Sequence, residues 1–429
     1  MLRRLDLRGK TGDLRAEIPR PQAATEPPVA EVQALLADVR ARGDDALRDL
    51  TERFDGVRPP DDLRVPPADL EAALAAIPPL LREALEAARA NVLAYHREQL
   101  HEEARYEKDG LVVRELRRPV DRAGVYVPGG AVPLISTVLM TVIPARVAGV
   151  PEVVLCSPPD RTTGTVASGI LAAAALAGVD EVYGLNGPAA IGAMAYGTET
   201  IKPVDVIVGP GNIYVSQAKR EVSGLVGVPS SFAGPSEVVV VADETTPAEY
   251  AAIDLIVQVE HGPDGLAWLI TWSEDVADRI TAVVEKLTAE SPRRDVIAEN
   301  LERNSYVAIV DGPEQAIEVA NAIAPEHLQL MTADPDGLLP LVRHAGAVFT
   351  GSYAPASVGD YIAGPSHVLP TYGSARFAGA LRVDDFAKHI HVVSVDEAAL
   401  AKLAPHVAAI AEAEGLPAHA ESVRLRGPR

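Results

Sequence analysis

The chain has 429 residues, a formal net charge of -21 and one cysteine, Cys156. Its length exceeds a single ordinary core and calls for two or three domains, and its acidic excess argues against nucleic acid or an anionic membrane as a partner. One cysteine rules out an intrachain disulfide and any multi-cysteine zinc site.

Arg3, Arg4, Asp6 and Arg8 interrupt the start, so no secretory apolar core follows Met1 and a cytoplasmic location is expected. Residues 1–24 read as an N-terminal arm. Residues 25–121 read as a helical segment with proline-rich joints, packing with the second of two modules. In it Val32, Leu35, Leu36 and Val39 form an apolar stripe, Gly43 ends that helix, and Asp44 or Asp45 caps the next. Pro59-Pro60 and Pro66-Pro67 bracket a linker, Asp69 opens another helix, and Pro78-Pro79 interrupts it.

Across residues 122–236, apolar runs at Val125–Val127, Val153–Leu155, Val182–Leu185 and Val204–Val208 alternate with alanine-rich helices. A second set, within 237–381, occupies Val238–Val241, Leu266–Thr271, Val307–Val310 and Leu328–Met331. This alternation predicts an α/β fold with two Rossmann-like parallel-sheet modules and helical N- and C-terminal extensions, the latter being residues 382–429. The tract from Val132 to Cys156 is broken by Pro133, Pro144, Arg146 and Pro151 and is no membrane span. Cys156, after Val153-Val154-Leu155, reads as an inert strand residue.

The chemistry concentrates in four stretches. In Ala324-Pro325-Glu326-His327-Leu328 a proline forces a helix-to-strand junction and sets an acid beside an imidazole, the pair expected of a general acid/base site. Gln258 and His261 lie three residues apart in the last turn of a helix stopped by Gly262-Pro263, and so share a face. Gly359-Asp360 to Ser366-His367 reads as a glycine-punctuated loop, and Glu414-Gly415-Leu416-Pro417-Ala418-His419 lies near the C-terminus. Singly, each has a structural reading: His261 as a helix C-cap cation, Asp360 as a turn residue, His419 as a surface group.

With these stand Gly124-Val125-Tyr126-Val127-Pro128-Gly129-Gly130, Val208-Gly209-Pro210-Gly211-Asn212 and Ala233-Gly234-Pro235-Ser236-Glu237. In this order the blocks resemble the histidinol dehydrogenases over nearly the whole chain. The resemblance implies a zinc ion held by Gln258, His261, Asp360 and His419, and Glu326 with His327 as the catalytic pair. It implies that Ser236, His367 and Glu414 help the metal ligands and His327 to hold the substrate, and that Tyr126, Asn212 and the position of Ala189 meet NAD. It also implies that the first module is inserted into the second, and a homodimer in which the tail crosses over so that Glu414 and His419 complete the partner's site.

No G-x-G-x-x-G occurs, and the Gly209–Asn212 turn before a helix is by itself equally a tight connection. Two positions depart from the family: Ala189 stands where it usually carries Gln, and Ser230 where an Asp is common. The favoured activity is zinc-dependent oxidation of L-histidinol to L-histidine through histidinal, reducing two NAD in histidine biosynthesis. Oxidation of another small polar alcohol, such as a sulfonated diol, on the same scaffold and a non-catalytic metal-binding relative are the alternatives.

Overall fold

The computed structural model describes residues 2–19, 27–129, 133–179, 181–231, 234, 236–260 and 265–426. Two parallel sheets organise it. The first has four strands, Arg122–Tyr126, Glu152–Ser157, Glu181–Gly184 and Val206–Val208, with Arg122–Tyr126 and Glu152–Ser157 central. Both faces are covered by helices, which is why its strands read as unbroken apolar runs. One covering helix, Ile135–Ala148, begins soon after the first strand ends, so its first turn lies at the C-terminal edge of the sheet.

The second sheet has six strands in spatial order Arg3–Asp6, Tyr306–Ile309, Leu266–Thr271, Glu237–Ala242, His327–Met331 and Ala347–Thr350, all parallel. Its outermost strand comes from the start of the chain, so the first sheet is inserted within the second. Side chains alternate between two cores: Val238 and Val240 pack under the helix Ala248–Val259, while Val239, Val241, Leu328 and Leu330 pack under the helix Pro313–Ile323. His327 and Gln329 therefore point to the layer of the helix Ala248–Val259.

Several local expectations are revised. Arg3–Asp6 is a strand; three charges in four residues hid it, and its pairing with Tyr306–Ile309 supplies what its composition does not. Ala387–Val395, expected within a helical tail, pairs antiparallel with Leu111–Pro119 in a mostly exposed three-stranded sheet with Arg105–Lys108. Asp44 does not cap its helix: it is the first helical residue after Gly43, and its carboxylate turns to Thr200. Pro67, rather than Asp69, opens the helix that ends at Ala76. No helix among the described residues is long and apolar enough to cross a membrane.

Candidate active site

Ala324, with φ of 56°, ends the helix Pro313–Ile323 in the left-handed region, and Pro325 prevents its continuation. The chain turns at once into the strand His327–Met331, delivering Glu326 and His327 to the N-terminal edge of the second sheet, level with Glu237. Gly346 is required opposite them, because a Cβ there would stand 2.6 Å from the Glu326 carbonyl oxygen. Both catalytic candidates are held by the main chain of Glu237. Its N–H donates to Glu326 Oε2 at 3.0 Å, and its carbonyl lies 3.1 Å from His327 Nδ1.

The far side of the imidazole faces Asp360, with Nε2 3.2 Å from Oδ1. Asp360 lies in a short helix, Ala356–Tyr361, rather than in the expected loop. Gly359 permits this approach: a Cβ there would meet the Phe349 ring at 2.5 Å, and Phe349 stacks on His327 with ring centroids 6.0 Å apart. Burial raises the Glu326 carboxyl above the ordinary carboxylate range, against the pull of His327. Burial alone would lower His327, but the Glu326 and Asp360 carboxylates outweigh it and hold the ring protonated more firmly than usual. Glu326 is thus less readily anionic, and His327 less readily neutral, than their roles alone would suggest.

Gln258 is buried in the last turn of the helix Ala248–Val259, and its Nε2 has no hydrogen-bond partner among the described residues. One turn earlier, Asp254 faces Gln329. Four residues along a helix and two along a strand each advance by roughly 6 Å, and the helix runs opposite to the strand. Gln258 is therefore level with His327. His261 lies outside the described residues. Glu414 and His419 are exposed on the tail, where the helices Glu397–Ala413 and Pro417–Arg424 pack on each other through Ala408, Ala411 and Ala420. Their side chains make no hydrogen bond or ion pair among the described residues, and no group of three potential metal ligands assembles there. Of the four expected ligands, Asp360 meets His327 directly and Gln258 lies level with it on the overlying helix.

His367 connects this site to the first module. Its Nδ1 lies 2.7 Å from the Asp360 carbonyl and its Nε2 2.9 Å from Thr137 Oγ1, in the first turn of Ile135–Ala148. Ser366 Oγ donates to the Met140 carbonyl at 3.0 Å. The C-terminal edge of the first sheet is thereby set against the N-terminal edge of the second. Ser236, half-buried, immediately precedes Glu237 where the chain passes into the second sheet.

At the same C-terminal edge, Tyr126 and Asn212 line a cavity of about 580 Å³. A second, of about 320 Å³, shares Asn212 and is lined by Leu35, Leu50, Phe54 and Ala189. Asn212 caps the helix Ile213–Val222, its Oδ1 accepting from the Tyr214 and Val215 N–H groups at 3.0 and 3.1 Å. Beneath that turn the buried Lys219 donates to the Gly209 carbonyl at 2.9 Å. Thr137, Glu237 and Lys219 were not singled out from sequence. Only Glu237 had a signal, its place beside Ser236 in the Ala-Gly-Pro-Ser-Glu block.

The histidinol dehydrogenase family profile matches residues 18–427. The chain belongs to the histidinol dehydrogenase family. A histidinol dehydrogenase from Parasynechococcus marenigrum is 47% identical over 396 residues, covering 92% of this chain and 90% of the relative. One from Thermobifida fusca is 44% identical over 432 residues, covering 100% and 98%. The crystal structure of histidinol dehydrogenase from Elizabethkingia anophelis is similar at a TM-score of 0.95 with 35% identity, covering 99% of this chain and 98% of that one. Membership makes this protein an oxidoreductase and accounts for the paired α/β sheets.

Proposed function

We propose that this protein oxidises L-histidinol to L-histidine through histidinal, with zinc and two NAD, as a cytoplasmic homodimer. The observation that carries the reading is the acid–imidazole pair Glu326–His327, placed at an edge between two sheets with Asp360 at 3.2 Å and Gln258 level with it. A hydrolase needs no second module with its own cavity; a two-step oxidation needs a place for a hydride acceptor beside an acid/base pair.

The donors Asp360 and Gln258 fit a zinc ion, being a carboxylate and a carboxamide, with His261 and a tail His419 to add imidazole nitrogens. The tail of the partner chain would bring His419 and Glu414 to the site. Bound zinc would polarise the substrate's donors and neutralise the Asp360 carboxylate, removing part of the field that keeps His327 protonated. A neutral His327 accepts the hydroxyl proton as hydride leaves the carbinol carbon for NAD. The aldehyde then adds water, and Glu326 takes the proton of that water, so that a second hydride can leave to a second NAD. Glu237, through its N–H, keeps the Glu326 carboxylate aimed during both steps.

Incubating the purified protein with NAD and either L-histidinol or a panel of polar alcohols including a sulfonated diol tests this directly. Two NADH per L-histidine formed is expected. Turnover of another alcohol with none of histidinol would overturn the substrate assignment.

A further inference from the structure

Asp55 is the last residue of the helix Asp44–Asp55, which Gly56 closes in the left-handed region with φ of 73°. It is 5% exposed, and its Oδ2 is buried without a hydrogen-bond partner among the described residues. A carboxylate at a helix C-terminus opposes the helix dipole, and burial penalises its charge again. For stability alone this is an unfavourable position for an acid. Burial does raise the Asp55 carboxyl above its usual range, against the Asn186 hydrogen bond.

A directed chain of hydrogen bonds leaves Asp55. Asn186 Nδ2 donates to Asp55 Oδ1 at 2.7 Å, and the Tyr126 hydroxyl donates to Asn186 Oδ1 at 3.1 Å. The direction is set by Asp55: its carboxylate can only accept, so Asn186 turns its NH₂ toward it and leaves Oδ1 to accept from the Tyr126 hydroxyl, whose oxygen also accepts from the Gly187 N–H at 3.3 Å. All three side chains line the same cavity of about 580 Å³ at the C-terminal edge of the first sheet. Asp55 belongs to the helical segment ahead of that sheet, and Asn186 to the turn before the helix Gly187–Tyr196.

We propose that Asp55 and Asn186 are positioning residues of the dinucleotide cavity, aligning the Tyr126 hydroxyl, so that the N-terminal helical segment sets cofactor affinity. This rests on the reading of that cavity as the NAD site. With Ala189 offering no carboxamide, Tyr126 and Asn212 are the polar groups left to orient the dinucleotide among the three positions expected to meet it. Asn212 gives its Oδ1 to its helix cap and keeps Nδ2 as a donor, while Tyr126, held by Asn186 and the Gly187 N–H, offers its remaining oxygen lone pair in a fixed direction.

The test uses the full-length zinc-loaded protein, with NAD binding measured by calorimetry and steady-state rates measured with histidinol. Asp55→Leu removes the acceptor while keeping the branched shape, whereas Asp55→Asn keeps an oxygen facing Asn186. Asp55→Leu is expected to weaken NAD binding about tenfold, as loss of a hydrogen bond to a charged group does, with KM for histidinol within about twofold. Asp55→Asn should restore most of the affinity, and Tyr126→Phe should add little to Asp55→Leu in a double-mutant cycle. If Asp55→Leu does not fold, Asn186→Ala in the same cycle gives the measurement. Unchanged NAD affinity in a folded Asp55→Leu or Asn186→Ala chain overturns the role, as does equal weakening of NAD and histidinol. Absence of NAD binding by the unaltered chain instead overturns the reading of the cavity beneath it.

Discussion

Glu237 holds Glu326 from behind: its main-chain N–H donates to Glu326 Oε2 at 3.0 Å, and its own buried side chain is raised by burial and by the Glu326 charge. The Glu237 carboxyl accepts from the Tyr372 N–H at 3.0 Å and has one oxygen without a partner among the described residues. A carboxyl so placed is kept neutral beside an acid that must be able to ionise.

Glu237→Gln should therefore be tolerated, because a neutral amide replaces a neutral acid and still accepts from Tyr372. Glu237→Ala should cost about 2–3 kcal/mol of stability through the cavity and the orphaned N–H. Thermal melts and kcat for both variants check this. A Glu237→Gln chain as inactive as Glu326→Gln would show that the ionised form of Glu237 is needed.

The catalytic pair should separate by step. His327→Ala is expected to slow oxidation of histidinol by about a hundredfold or more, the loss typical of removing a general base. Glu326→Gln should depress oxidation of histidinal more than that of histidinol, because only the aldehyde must first be hydrated. Rates on the two substrates decide it, and a Glu326→Gln defect confined to the alcohol step would reverse the assignment.

Metal content should track Asp360 and Gln258. We expect about one zinc per chain, loss of turnover on prolonged chelation and recovery on adding zinc. Asp360→Asn should lower zinc retention without changing the melting of the chelated protein. Full activity in protein shown by elemental analysis to be metal-free would exclude a catalytic metal.

Lys219 predicts a pH-dependent stability. Burial lowers its amine from 10.5 to about 7, so between those values the unfolded chain binds the extra proton and stability rises with pH. The penalty of burying the charge is complete below about 7 and relieved as pH climbs toward 10.5. Lys219→Met should therefore stabilise the chain more at pH 6 than at pH 9, by about 3 kcal/mol from the linkage slope over the two pH units above 7. Equal effects at both pH values in denaturant titrations would show that the amine is not desolvated.

The proposed exchange of the tail between chains has its own test. Val407 and Ile410 are 40% and 62% exposed on the helix Glu397–Ala413, and Leu416 is 41% exposed in the turn that follows it, beside the cluster through which the two tail helices pack on each other. Coexpressing His419→Ala with His327→Ala, each inactive alone, should recover about a quarter of wild-type activity, since half of random two-fold dimers are mixed and each has one intact site. Mixed dimers as inactive as the parents would place His419 in its own chain's site.

By itself, the sequence determined the local alternation of strand and helix, the junction forced by Pro325, and the motif blocks that mark the family, because periodicity, proline geometry and residue order are properties of neighbours along the chain. It could not assign Arg3–Asp6 or Ala387–Val395 to strands, since charged or exposed segments become strands only when a distant partner supplies the hydrogen bonds. The site itself was decided by tertiary structure. Asp360 reaches His327 because Gly359 lies on Phe349, Gln258 is level with His327 because a helix packs antiparallel on its strand, and Glu237 braces Glu326 across 89 residues. Each of these depends on the register between elements far apart in sequence, which is set by how the two sheets and their covering helices pack rather than by any local preference.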